Sequence, residues 1–407
     1  MSKKSHPDLF IGIDISDYSI EVLQLTKEKE VFAYGRTLLI DGIVQNGKVV
    51  DKKALIKKIT EVLKTTRPNS IYENISNFRA VFSVSESLVF LSNFELPAGL
   101  KGQSLNEKVL EVASEKIPLH MNKTYNDFLN TDISNNIQKI IFASAKKEVV
   151  DDFVSVLRKV GFGDVSVSVE SFALGKAFLK NSYFEYLGGE KSEKTSSVIV
   201  DIGARKTIIS IFDEMNFLHN SIVVPVGGNQ FTENLSKKLN INIKEAERNK
   251  RDVGLSREDV DSRVLSVLQY DFQKIISEIK GLIDFYEKNN SRVENLILVG
   301  GSSLIPKVEE YFEENFGISA NLGKPFINIK SHVLFDENRL PMFFAGVIGL
   351  ALYSEGDNID LYNIKKVKTF FLKKINFLPD QNTRILLMSS VLLVFIMILL
   401  LMIYFRF

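Results

Sequence analysis

The sequence contains no cysteine, which removes disulfides, thiolate metal ligands and cysteine nucleophiles together. Histidine is nearly as scarce: His6, His120, His219 and His332 stand far apart and match no zinc-ligand spacing. Excess charge of one sign is missing too. Lysine and arginine total 51 against 50 aspartates and glutamates, and no arginine-rich stripe lies beside aromatic residues, so no nucleic acid partner is expected. The opening MSKKSHPDLF lacks the long apolar core of a signal peptide. What remains is a chain with 45% hydrophobic residues over 407 positions, ample for two or more globular cores.

One run breaks the globular pattern. Ile385 to Phe405, ILLMSSVLLVFIMILLLMIYF, carries no charge, proline or glycine, over the roughly twenty residues a helix needs to cross ~30 Å of hydrocarbon. A helix satisfies its own backbone hydrogen bonds there, and this one has no polar face to turn toward water. Lys365, Lys366, Lys368, Lys373, Lys374 and Arg384 precede it and only Arg406 follows. By the positive-inside rule the upstream body lies in the cytoplasm. The expectation is a single-pass protein of the cytoplasmic (inner) membrane.

Two upstream segments resemble one another. Leu9 to Leu25 reads LFIGIDISDYSIEVLQL and Ser197 to Phe212 reads SVIVDIGARKTIISIF. Each is an apolar strand ending in an aspartate, a short turn and a second alternating strand, which points to two similar halves facing each other. A carboxylate leaving a buried strand costs desolvation unless it is paired, and a metal–phosphate complex is one such partner. A polar turn chosen for local reasons is the alternative. A third segment, VENLILVGGSSLIPKVEEYF from Val293 to Phe312, places Gly300-Gly301 between a strand and an amphipathic helix, where backbone amides meet a ligand closely.

In this order the three segments resemble the actin-like ATPase superfamily, and within it the PilM family of type IV pilus assembly and type II secretion-like machines. FELPAG, EVASEKIPLHM, IIFASAKKEVVDDFVSVLRKVGF, VSVESFALGKAF, VPVGGNQFTENLSKKLNINIKEAERNKRDVGL and FFAGVIGLAL carry the resemblance along nearly the whole chain. It implies an α/β fold of the duplicated, ribonuclease H-like actin type with an inserted 1C-type subdomain, plus one C-terminal transmembrane helix. It also implies ATP and Mg as cofactors. Asp14 and Asp201 would face the Mg–phosphate complex from opposite halves. Ser16, Asp17 and Tyr18 would form one phosphate loop, and Gly203, Ala204, Arg205, Lys206 and Thr207 the other. Gly228, in the GG-x-x-x-T stretch, would belong to the same pocket. Glu247 and Lys250, one turn apart, would line the nucleoside, and Gly300, Gly301 and Ser302 would meet adenine and ribose. Alone, Glu247 and Lys250 read equally as a solvated helix pair.

The chain departs from the family's D-I-G-x-x-x-x-K pattern, with Ser16 in place of the glycine and Glu21 in place of the lysine. A carboxylate there would repel phosphates by about 4 kcal/mol at 4 Å and an effective dielectric of ~20. Arg205 and Lys206 would offset it if they point inward; an exposed turn is the alternative. The expectation is ATP binding with weak or absent hydrolysis, and no catalytic residue is assigned.

Past Leu352 the chain turns polar and basic and contains Ile375-Asn376-Phe377-Leu378-Pro379. This resembles the INLLP-type peptide of PilN, the family's membrane partner, which PilM proteins bind in a groove beside the inserted subdomain. Asn358-Ile359-Asp360-Leu361 is a looser match. Apolar residues around an amide suit an extended peptide on a sheet or groove; an ordinary juxtamembrane linker is the alternative.

The expected layout is 8–82 and 166–196 for subdomain 1A, 83–165 for the insertion, 197–228 and 291–352 for 2A, 229–290 for 2B, 353–384 for the linker and 385–405 for the span. Such a protein would be an ATP-binding scaffold joining pilus motor and platform components to the membrane, with self-association a further expectation. An FtsA-like division tether and a small-molecule kinase of the same fold are the rival expectations.

Overall fold

Ile11, Ile13 and Ile15 alternate along the strand Pro7–Ile15 and all are buried, the period-two pattern of a strand facing a core. The returning strand Ser19–Thr26 is buried throughout, as befits the middle of a sheet covered on both faces. Val31–Leu38 completes an antiparallel meander, with Arg67–Pro68 at its far edge. On the other side Arg79–Val84 and then Asp164–Val169 join in parallel, which requires crossover connections. The computed structural model describes residues 7–118, 120–134, 136–179, 195–257, 262–330, 340–353 and 358–362. The chain divides into two units, Met1–Leu361 and Tyr362–Phe407; apart from Tyr362, what is described belongs to the first.

The second half repeats this plan. Ser196–Ile202, Thr207–Phe212 and Leu218–Val224 form an antiparallel meander, and Val293–Val299 and Ser319–Leu322 follow in parallel. The strand order and the sense of each neighbour match between the two sheets, so the repeated hairpin in the sequence marks a repeated topology.

Between Arg79–Val84 and Asp164–Val169 the chain builds a three-stranded antiparallel sheet, Val89–Pro97, Ile137–Lys146 and Thr124–Ser134. The helix Gly102–Lys116 packs on it through Val109 and Ala113, against Phe94, Leu96, Ile140 and Phe142. Ser83, Val84, Asp164 and Val165 lie in strands of the six-stranded sheet, so the insertion is shorter at both ends than the expected 83–165. The helix Lys147–Val160 packs against Lys52–Lys64 of the first half, and its buried Phe153 meets Phe82 of the six-stranded sheet at 5.2 Å between ring centroids.

In the second half, the helices Gly228–Leu239, Ile243–Asp252 and Ser262–Glu287 cover the sheet with Phe231, Leu235, Ala246, Leu268, Phe272, Ile275 and Ile279. Each large apolar side chain buried this way contributes about 1.5–3 kcal/mol. A separate cluster joins the halves: Leu23 from the first sheet, Ile199 and Phe212 from the second, Leu174 and Phe178 from the helix Glu170–Phe178, and Val347 and Ile348 from Ala345–Ala351 with Phe344 just before it. These helices bring the exits of both hairpins into one region.

Among the described residues no helix is long and apolar enough to cross a membrane. Ile385–Phe405 and Ile375–Pro379 lie outside the described residues.

Candidate functional site

Both hairpins close alike: Ser16 N donates to Ser19 O at 3.0 Å, and Gly203 N donates to Lys206 O at 3.0 Å. Asp14 and Asp201 take the same place in them, each one residue before its strand ends, opposite Glu21 and Ile208 respectively. The aspartates share an electrostatic neighbourhood. Burial holds the Asp14 carboxyl well above the usual range, and Glu21, Glu170 and Asp201 push it further, with Lys206 opposing. Burial and then Glu170 push Asp201 up to about 6, again against Lys206. A glycine backs each carboxylate: a Cβ on Gly346 would lie 2.3 Å from Asp14 Oδ2, and one on Gly300, at φ 84°, 2.2 Å from Asp201 Oδ1. The helix Ala345–Ala351 and the Gly-Gly turn thus approach the two aspartates as only glycine allows.

The basic pair of the second hairpin reaches across to the first half. Lys206 Nζ donates to Glu170 Oε2 and to Ser85 Oγ, each at 2.6 Å. Burial works against its charge, but Glu170, then Glu86 and Asp201, outweigh it and raise its pKa. Arg205 pairs with Asp17 at 3.2 Å and with Asp41 at 2.8 Å. The Asp17 carboxylate accepts from Asn46 N at 2.7 Å and Gly47 N at 2.9 Å. Ser16 is exposed, and its Oγ closes the turn by accepting from Tyr18 N and Ser19 N at 3.2 and 2.9 Å. The Tyr18 side chain is exposed.

Glu21 is a correction to the expected repulsion. It is buried, but Arg36, its cross-strand neighbour, donates to Glu21 Oε1 at 2.7 Å. Arg36 also lies 4.6 Å from the Phe343 ring centroid, a cation–π contact that fixes the guanidinium. Arg36 therefore offsets Glu21, while Arg205 and Lys206 serve other carboxylates. Burial, only partly relieved by Arg36, leaves Glu21 at about 7.

The remaining expected residues of the second half gather at one helix start. Gly228 N and Asn229 N donate to Gly203 O and Ala204 O at 2.9 and 2.8 Å, and Ser302 Oγ lies 3.5 Å from Gly203 O. Asn242 caps the next helix by accepting from Glu245 N at 2.9 Å, which sets Glu247 and Lys250 facing this junction. Lys250 Nζ donates to Gly228 O at 3.0 Å and Thr232 Oγ1 at 2.8 Å and pairs with Glu247 at 2.7 Å. Thr232 Oγ1 and Arg251 also donate to Glu247, at 2.6 and 2.7 Å. Lys250 is only 7% exposed, so the pair is not a solvated surface bridge; burial lowers its pKa, with Glu247 opposing. Thr207 Oγ1 is buried and donates to Val226 O at 2.8 Å.

Glu170, Glu86, Ser85 and Arg36 were not singled out by the sequence, and Thr232 entered only as the threonine of the GG-x-x-x-T stretch. Glu170 and Glu86 are interlocked: Glu86 N donates to Glu170 Oε2 at 2.6 Å, and Ser171 N to Glu86 Oε2 at 3.1 Å. An acid where the strand of VSVESF meets its helix was the signal available for Glu170. Among the described residues no group of three or more acidic or histidine side chains is placed to hold a metal ion directly.

Two matched hairpins, each with a half-buried aspartate backed by a glycine, on a duplicated α/β body define the actin-like ATPase fold. The model of the type IV pilus assembly protein PilM family matches residues 12–355, and the chain belongs to that family. A solved PilM-PilN type IV pilus biogenesis complex is similar at a TM-score of 0.69 and 20% identity, covering 85% of this chain and 98% of that one. The ethanolamine utilization protein EutJ of Carboxydothermus hydrogenoformans is similar at a TM-score of 0.50 and 16% identity, covering 84% and 89% respectively. No curated protein matches the sequence.

Proposed function

We propose that this protein is an ATP-binding scaffold of a type IV pilus or related secretion machine, held at the cytoplasmic face of the inner membrane by Ile385–Phe405. The nucleotide's phosphates would lie between the two hairpins, beside Asp14 and Asp201, and its nucleoside near Gly228, Glu247, Lys250, Gly300, Gly301 and Ser302. One observation carries this: the matched aspartates are half-buried, lie in each other's and Glu170's electrostatic field, and are closely backed by Gly346 and Gly300.

The residues fit a magnesium ion carried by the phosphates. Asp14, Glu21, Glu86, Glu170 and Asp201 are answered within the network by Lys206 and Arg36, so the region is short of positive charge, which a divalent cation supplies. Asp14 and Asp201 would hold the ion from opposite sides, through water or phosphate oxygens. When bound, it neutralises phosphate charge.

The partner would be a PilN-type membrane protein, as in the solved PilM-PilN complex, or the chain's own Ile375–Pro379; motor and platform components complete the assembly. Genetic complementation tests the function. Loss of surface pili on deletion, restored by the wild-type gene and not by D14A/D201A, supports it. Normal piliation in the deletion strain would refute it.

A further inference from the structure

The helix Ser262–Glu287 has two unlike faces. Leu268, Phe272, Ile275, Ile279, Leu282 and Tyr286 are buried in the core of the second half. The opposite face carries Tyr270, Lys274, Ser277, Gly281 and Asp284, with Lys288 just past the helix end, and all six are exposed. Their positions alternate steps of four and three, the spacing of a seam between two paired helices. Tyr270 is 78% exposed and Phe285, at the flank of the seam, 62%.

Gly281 is the informative position. Glycine is the weakest helix former after proline, and its own chain does not call for it there, since an added Cβ would meet open space. A backbone approaching closely from outside gives it a reason. The neighbouring charges point to what approaches, for Lys274, Asp284 and Lys288 have no ion-pair partner among the described residues. Against a second copy running antiparallel, with Ser277 over Gly281 of that copy, Lys274 falls opposite Asp284 and Tyr270 opposite Lys288. Two-fold symmetry forms each layer twice. Small residues then meet at the centre, opposite charges lie outside them, and a cation faces an aromatic ring at each end. Phe285 flanks Lys274 of the second copy. Sliding by one heptad breaks the charge layer, because Asp284 then meets Val267 or Lys274 meets Ser291. Glu278 opposes the pairing by nearing its own copy at the flank, where water and salt screen the repulsion.

We propose that this face, from Tyr270 to Lys288, is an interface between two copies of the chain, paired antiparallel about a dyad between Ser277 and Gly281. The stretch covers about 27 Å of helix. One helix face is smaller than the ~800 Å² that a standard interface takes from each partner, so the dimer is reversible and of roughly micromolar strength. The interface uses neither nucleotide nor membrane, so it stands or falls apart from the function proposed above.

The chain has no cysteine, so engineered cysteines report the contact without background. Full-length S277C and G281C proteins are oxidised in mild detergent, separately and mixed. The mixture is expected to form disulfide dimers roughly fivefold faster, because 277 and 281 lie level across the dyad while each is about 6 Å along the axis from its own copy. Equal rates in all three samples would overturn the antiparallel pairing. Sedimentation velocity of cysteine-free protein gives a second reading. K274D is expected to weaken the dimer about tenfold, and K274D/D284K to restore it by rebuilding the pair in reverse. A dimer unchanged by K274D, or not restored by the swap, would place the contact on another face or in the hydrophobic tail and overturn the proposal. A wild type that stays monomeric at every concentration would also overturn it, and would leave the face to a different protein. Should K274D fail to fold, the oxidation rates decide, since neither cysteine variant alters a buried position.

Discussion

The bond between Lys206 and Glu170 ties the second hairpin to the first half, and its removal should be felt at both aspartates. The two side chains are 28% and 22% exposed and meet at 2.6 Å. Truncating one partner of a buried pair costs about 3–5 kcal/mol; partial exposure lowers this to about 2–3 kcal/mol for Lys206→Met. The loss is large because Glu170 is left beside Asp14 and Asp201, whose charges Lys206 otherwise offsets. Glu170→Gln should cost less, about 1 kcal/mol, since it also relieves that repulsion. Combined, the two changes should cost less than their sum by about 1.5 kcal/mol. Urea unfolding of the four proteins in mild detergent, followed by near-ultraviolet circular dichroism, gives the cycle directly. A coupling indistinguishable from zero would mean that lysine and glutamate do not meet across the halves, and the closed arrangement would be wrong.

Glu21 sets a pH dependence. Its folded pKa of about 7 lies above the ordinary 4.5, so the native state holds the proton more tightly than the unfolded chain and stability falls as pH rises from about 4.5 to 7. Unfolding midpoints in EDTA should therefore fall over that window, and less steeply in E21Q; equal slopes would refute the assignment. Gly346→Ala puts a methyl into the Asp14 carboxylate and should cost about 1–3 kcal/mol while weakening nucleotide affinity, measured by denaturation and calorimetry on one preparation. Phe272, fully buried against Phe231 and Phe312, should cost about 3–5 kcal/mol when replaced by alanine, with nucleotide affinity intact in the fraction that remains folded.

What the sequence disclosed was local. The hairpins show as alternating apolar residues around DIS and DIG, and Gly300-Gly301 as a break between strand and helix, because each is a pattern within a few residues. The duplicated topology followed from the first two. Partnerships across the fold were not legible. Glu21 read as an unmatched negative charge because Arg36 becomes its neighbour only through strand register. Arg205 and Lys206 read as phosphate-loop cations or an exposed turn because their partners Asp17, Asp41, Ser85 and Glu170 are distant in sequence. Asn358–Leu361 read as linker with a faint peptide pattern, since its burial depends on Val167 and Asp127, which are distant in sequence.

Calorimetric titration of the full chain with ATP, with and without magnesium, bears most directly on the site as a whole. Saturable binding that needs magnesium, and that D14N and D201N each weaken at least tenfold, is the expected result. Binding of equal strength in EDTA, or unaltered in both variants, would contradict the placement of the phosphates between the two hairpins.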